Sequence, residues 1–149
     1  MSGLTHDEMT GWRDAIKTES KFYNMKVISP PDYFTYGCDC YDEDKESFVF
    51  DTYWVKKSDV VIVNMNSPKS IGTAQEVMLA YEHNNPIIMV SNKDIWDSEV
   101  NPWLKHEATT VFFHENYDND YSIYEDVVEY AAMYERVWFK GEEYMIKGD

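Results

Sequence analysis

Apolar positions along this chain fall into two alternating kinds of segment. One kind recurs at helical spacing. Met9, Trp12 and Ile16 lie three to four residues apart and predict a helix over about 6–18, capped by Thr5. Glu46 to Lys57 reads as a second helix, and Ser70 to about His83 as a third, with Ile71, Ala74, Met78 and Tyr81 on one face and Asn84-Asn85-Pro86 as its stop. Ser122 to Arg136 is a fourth. The other kind is a short unbroken apolar run. Asp59-Val-Val-Ile-Val-Asn64 and Ile87-Ile-Met-Val90 have the composition of strands covered on both faces. Met25 to Ser29, stopped by Pro30-Pro31, and Thr109 to Phe113 read as two further strands. Residues 32–45 form a long loop of the kind that serves as a lid or binding segment. Residues 91–108 form another loop, with a helical piece around Trp103. The stretch Trp138 to Met145 reads as an added edge strand or a contact with another subunit.

Strands alternating with helices imply parallel βαβ units: an α/β, doubly wound, flavodoxin- or Rossmann-like sheet with helices on both faces. The 149 residues suit one domain, 1–149, with no repeat or linker. In such sheets ligands bind beyond the carboxyl ends of the strands, which directs attention to the residues after Asn64 and Val90.

Charge narrows the partners. A formal net charge of −15 repels nucleic-acid backbones and leaves small molecules open. No run of about 18 apolar residues predicts a membrane span. The amino-terminal stretch lacks the basic start and apolar core of a secretory signal. Cys38 and Cys40, one residue apart, would make a strained disulfide, and the four histidines are scattered, so no metal site is expected. Both cysteines read as thiols of a reducing cytoplasm.

The candidate chemistry lies around the run from Asp59 to Glu76. A strand ends, a polar loop containing Asn64 and Asn66 turns, and a helix opens at Ser70. Gly72 removes a side chain where a ligand could approach the backbone, and free N–H groups at a helix start attract anions. Glu76 comes next, near the positive end of the helix dipole, which favours an ionised, nucleophilic carboxylate. Taken alone, it reads first as a solvated helix glutamate, and Ser70 as a simple cap. Asp51 shares a helical face with Phe48, Trp54 and Val55. A carboxylate among aromatics either gains proton affinity, as suits an acid facing a leaving base, or sits at the stripe's edge and reaches water.

The string Ser-Asp-Val-Val-Ile-Val-Asn-Met-Asn-Ser-Pro-Lys-Ser-Ile-Gly-Thr-Ala-Gln-Glu-Val-Met-Leu-Ala-Tyr (58–81), followed by Asn-Asn-Pro-Ile-Ile-Met-Val (84–90), resembles the nucleoside 2-deoxyribosyltransferase family. That family shows an acid before a hydrophobic strand, a Gly-x-x-x-Glu helix, then a Pro-led strand. The resemblance covers roughly residues 1–115. It implies that Glu76 is the nucleophile attacking the anomeric carbon of a 2′-deoxynucleoside and that Asp51 holds or protonates the base. It also implies that no cofactor is needed and that the protein is a homo-oligomer, a dimer or larger. Segment 101–106 lies where family members complete a neighbouring pocket, and Trp103 there is expected in core or interface packing rather than against a base. Tyr33, Tyr36 and Tyr41 are lid candidates.

Two departures refine the expectation. Ser70 stands where transferases of the family carry an aspartate for the 5′-hydroxyl. A serine resembles the 5′-monophosphate N-glycosidase branch, where it meets phosphate. Met1-Ser-Gly-Leu-Thr5 resembles the end of the family's first small-residue turn, which puts Ser2 and Gly3 in the pocket lining. The strand that precedes that turn is missing from this sequence. The alternative function is an inactive nucleotide-binding or protein-interaction module of the same fold.

Overall fold

The computed structural model describes residues 6–33, 43–115 and 121–139. Within them the chain forms α1 (His6–Ser20), a 3-10 turn (Lys21–Tyr23), a second one (Pro30–Asp32) and a π turn (Glu43–Ser47). These are followed by α2 (Phe48–Lys57), β1 (Val61–Asn64), α3 (Ile71–Glu82) and β2 (Ile87–Asn92). The order ends with α4 (Lys93–Glu99), α5 (Pro102–Glu107), β3 (Thr110–His114) and α6 (Ile123–Phe139).

The three strands make one parallel sheet in the order β1-β2-β3, with Val61 opposite Ile87 and Ile88 opposite Thr110. Alternation along β2 feeds two cores. Ile87 and Met89 pack with Val63, Val77, Trp96 and Leu104 beneath α3, α4 and α5. Ile88 and Val90 pack with Ile16, Val127 and Val128 beneath α1 and α6. All four β2 side chains are fully buried, each adding about 1.5–3 kcal/mol relative to exposure. The doubly wound α/β architecture is therefore present, and no strand precedes α1 among the described residues.

Several elements depart from what the sequence pattern predicts. Met25 to Ser29 is not a strand, because no neighbouring strand offers it a ladder. Instead of one helical piece, 91–108 contains two short helices. Asn92 caps α4 through Asp94 N (2.9 Å), and Asn101 caps α5 through Trp103 N (2.9 Å), with Pro102 in the first turn. The buried face of α3 is Val77 and Ala80, with Ala74 beside them, while Ile71 (77% exposed) and Tyr81 (46%) face outward. Trp138 lies in α6, and residues 140–149 fall outside the described ones.

One junction fixes how α2 and α3 lie against each other. Asn84 takes the left-handed conformation (φ 57°) just past α3. Asn84 N then donates to Tyr81 O (3.1 Å) and Asn85 N to Ala80 O (3.0 Å), closing the helix end in a Schellman arrangement. The Asn85 side chain donates in turn to Val55 O at 2.7 Å near the end of α2. The lower ends of α2 and α3 are thereby tied together.

Candidate functional site

Because α2 and α3 run side by side from that tie, a polar group on one meets a polar group on the other. Asp51, in the first turn of α2, and Glu76, in the second turn of α3, share a side-chain hydrogen bond. Both line a cavity of about 480 Å³ together with Trp12, Arg13, Phe50 and Trp54. The Arg13 guanidinium lies 4.4 Å from the centroid of Trp12.

Burial dominates the electrostatics of the pair. It pushes the Glu76 carboxyl up to about 7, helped by the neighbouring Asp51 charge and opposed by Arg13. Burial also raises Asp51, while the hydrogen bond from Glu76 and the charge of Arg13 pull it back. The proton therefore sits on Glu76 and is donated to Asp51, so the pair carries one proton below neutrality. This reverses the expectation that the helix dipole keeps Glu76 ionised. Glu76 is the sixth residue of α3, beyond the first turn where that field acts. Asp51 occupies the aromatic environment anticipated for it beside Trp54 and Val55, but Phe48 does not share it, being 61% exposed on the outer face.

The other candidates from the sequence lie elsewhere. Ser70 caps α3, its Oγ accepting from Thr73 N (3.3 Å) and Thr73 Oγ1 (3.1 Å). A Cβ built on Gly72 would meet nothing within 4 Å, so the space over this helix start is open. Asn64 and Asn66 brace the carboxyl ends of the strands. Asn64 Nδ2 donates to the Tyr124 hydroxyl (3.1 Å) and its Oδ1 accepts from Asn66 N (2.9 Å). Asn66 Oδ1 accepts from Asn92 N (2.8 Å), and its Nδ2 meets His114 Nε2 at 3.2 Å. None of these four lines the cavity that holds the two acids. Ser2, Gly3, Tyr36, Cys38, Cys40 and Tyr41 fall outside the described residues. Tyr33 packs its ring 4.7 Å from Phe50. Trp103 is 75% exposed, so of the expected core or interface packing the core half is ruled out, and its ring lies on the chain's surface.

Arg13 and Trp12 are site residues that the sequence pattern does not single out. Their signal is faint: Trp12 counts as core, and Arg13 is one cation among 13 in an acidic chain. Among the described residues no cluster of three or more His, Cys, Asp or Glu could hold a metal ion, and no helix is long and apolar enough to cross a membrane.

The chain matches no family model and no curated protein. Its fold is similar to a solved structure of the 2-deoxyribosyltransferase from the psychrotolerant bacterium Bacillus psychrosaccharolyticus. The two align with a TM-score of 0.55 and 18% identity over 81% of this chain and 89% of the other. A likeness at that identity establishes the shared fold.

Proposed function

We propose that this protein cleaves or exchanges the N-glycosidic bond of 2′-deoxynucleosides or their 5′-monophosphates through a covalent glycosyl–Glu76 intermediate. The observation that carries this reading is the buried, hydrogen-bonded pair Asp51–Glu76 sharing one proton beside a cavity. The deoxyribosyltransferase fold of the neighbouring structure supports it.

The chemistry uses the two acids in turn. Substrate entry shifts the shared proton to Asp51, leaving Glu76 as the carboxylate. A Glu76 oxygen bonds to the anomeric carbon as the C–N bond breaks. The bonding electron pair leaves with the base, which takes its proton from Asp51. The transition state has oxocarbenium character, as in retaining glycoside cleavage. A second base, or water, then attacks the same carbon and frees Glu76. No metal or organic cofactor enters this scheme.

Ser70 and the open helix start at Gly72 favour a 5′-phosphate, since an N–H-rich helix end attracts an anion that an aspartate would repel. Asn64 and Asn66 shape the loop beneath that seat, and Ser2 and Gly3 belong to its lining in this reading. The protein acts as a cytoplasmic homo-oligomer on small molecules rather than on nucleic acid. A second reading, a nucleotide-binding module without chemistry, draws on the proton that Glu76 retains up to about pH 7.

Incubation with a panel of deoxynucleosides and monophosphates, with and without free bases, separates these readings by chromatography. Free base from a monophosphate means hydrolysis, and exchanged nucleosides mean transfer. Ligand-induced thermal stabilisation without any product supports the binding module.

A further inference from the structure

The carboxyl ends of the three strands converge on one side chain, that of Asn66. It lies two residues past β1, and its Oδ1 accepts from Asn92 N (2.8 Å) at the end of β2. Its Nδ2 meets Nε2 of His114 (3.2 Å), which ends β3 and stands in register with Asn92. Met65 N already donates to Val90 O (2.8 Å), so the Asn66 side chain carries the β1–β2 ladder one rung further.

Donor and acceptor types fix this arrangement. Asn92 N is a backbone donor, so the Asn66 amide must turn its oxygen that way. The amino group on the other side can only donate, so His114 Nε2 must accept. The neutral ring therefore carries its proton on Nδ1. A proton added at Nε2 would set two donors against each other. Flipping Asn66 would not relieve this, because its Nδ2 would then face the Asn92 N–H.

We propose that His114 is a positioning residue whose neutral ring holds Asn66, and with it the loop from β1 to Ser70, and whose protonation releases that loop. The hold extends through the neighbours of Asn66. Its N donates to Asn64 Oδ1 (2.9 Å), and Asn64 Nδ2 donates to the Tyr124 hydroxyl (3.1 Å) of α6. Asn92 Oδ1 accepts from Asp94 N (2.9 Å) at the start of α4, and its Nδ2 donates to Glu115 O (3.2 Å) just past β3.

Four elements bring charged groups to this end of the sheet. Helix α4 carries Lys93, Asp94 and Asp97, with Lys93 paired to Asp97 (3.0 Å) and lying over the Phe113 ring (4.6 Å). Glu115 follows β3, Lys69 lies in the loop, and Glu125 and Asp126 stand in the first turn of α6. Of all these groups, the imidazole is the one that ordinarily changes charge between about pH 5 and 8. The latch itself stands without the glycosyl reading. Its consequence, that the phosphate seat proposed at Ser70 loosens in acid, rests on that reading.

The test uses no substrate, so its failure leaves the glycosyl reading where it was. Long-range proton–nitrogen spectra of the full chain read the ring directly. The Nδ1–H tautomer is expected at His114 at about pH 8. As pH is lowered to about 5, the Asn66 side-chain amide and the Asn92 backbone amide are expected to shift with the same midpoint as the ring. An Nε2–H tautomer, or amides that ignore the titration of the ring, overturns the proposal.

Two variants separate a proton-operated latch from plain packing. Asn66→Asp keeps an oxygen for Asn92 N and turns a second one on Nε2. The His114 midpoint is expected to rise by about one pH unit or more. His114→Gln keeps an acceptor near that position and cannot ionise, so both amides are expected to stay flat over the same pH range. An unmoved midpoint in the first variant, or amides that still titrate in the second, overturns the proposal.

Discussion

Asp51 and Glu76 approach from two different helices and meet through a hydrogen bond in which Glu76 is the donor. Their meeting depends on a junction some turns away, where Asn85 ties the end of α2 to the end of α3. A like-charged pair cannot both ionise in so dry a place, and one proton is retained.

Stability should fall as pH rises. The folded Glu76 carboxyl titrates near 7, above its ordinary value of 4.5, so between these values the native state binds more protons than the unfolded chain. Unfolding free energy then decreases with pH across that window, by roughly 2–3 kcal/mol for a shift of this size. Thermal melting from pH 4.5 to 8 should show this decline. Glu76→Gln, which cannot ionise, should flatten it and raise Tm at pH 8. A wild-type Tm that climbs over the same range contradicts the pair's protonation.

Turnover should follow the same proton. The scheme needs one proton on the pair, which Asp51 hands to the leaving base while Glu76 attacks, so kcat/KM should fall as pH rises above about 7 and that proton is lost. Asp51→Asn removes both the acid and the neighbouring charge that helps hold the proton on Glu76. Its rate should fall roughly 10²- to 10⁴-fold, lose the decline above about pH 7, and instead rise with the ionisation of Glu76 at a pH below about 7. A rate profile over pH 5–9 for both proteins checks limb and amplitude together.

The outline of this fold is legible because buried strands and helices write different periods into the chain. Val61 to Asn64 and Ile87 to Val90 can be placed from apolar runs alone. Failures come where neighbours decide. Met25 to Ser29 has strand composition, yet forms no ladder without a strand beside it. Helices α4 and α5 span seven and six residues, too short for a period, although Asn101-Pro102 carries a readable cap signal. At the site, Asp51 and Glu76 are legible through a motif resemblance. The state of Glu76 is not, because desolvation depends on packing, whereas the helix dipole can be read from position. Arg13 is invisible, since it reaches the acids from α1, far away in sequence.

Ser70 should separate capping from substrate choice. Ser70→Ala removes the acceptor for Thr73 N and should cost about 0.5–2 kcal/mol of stability. Ser70→Asp keeps a capping oxygen and so should retain Tm, but places a negative charge where phosphate is proposed to sit. It should lower kcat/KM for a monophosphate by at least about 10-fold relative to the matching nucleoside. Unchanged preference in that variant would move the phosphate seat away from residue 70.

Asn85→Ala should loosen the tie between α2 and α3. It removes the donor to Val55 O at 2.7 Å and should destabilise the protein by about 1–2 kcal/mol. Chemical denaturation measures that loss. Because the tie aligns Asp51 with Glu76, the variant should also lose turnover under conditions where it remains fully folded.

The identity of the nucleophile can be read directly. Wild-type protein mixed with a 2′-deoxynucleoside or its 5′-monophosphate, quenched in acid within the first turnovers and digested, should yield a peptide carrying the deoxyribosyl or deoxyribosyl phosphate mass on Glu76. The same treatment of Glu76→Gln should yield neither adduct nor released base. Base release by Glu76→Gln at the wild-type rate, or an adduct mapped to a different residue, would contradict the account.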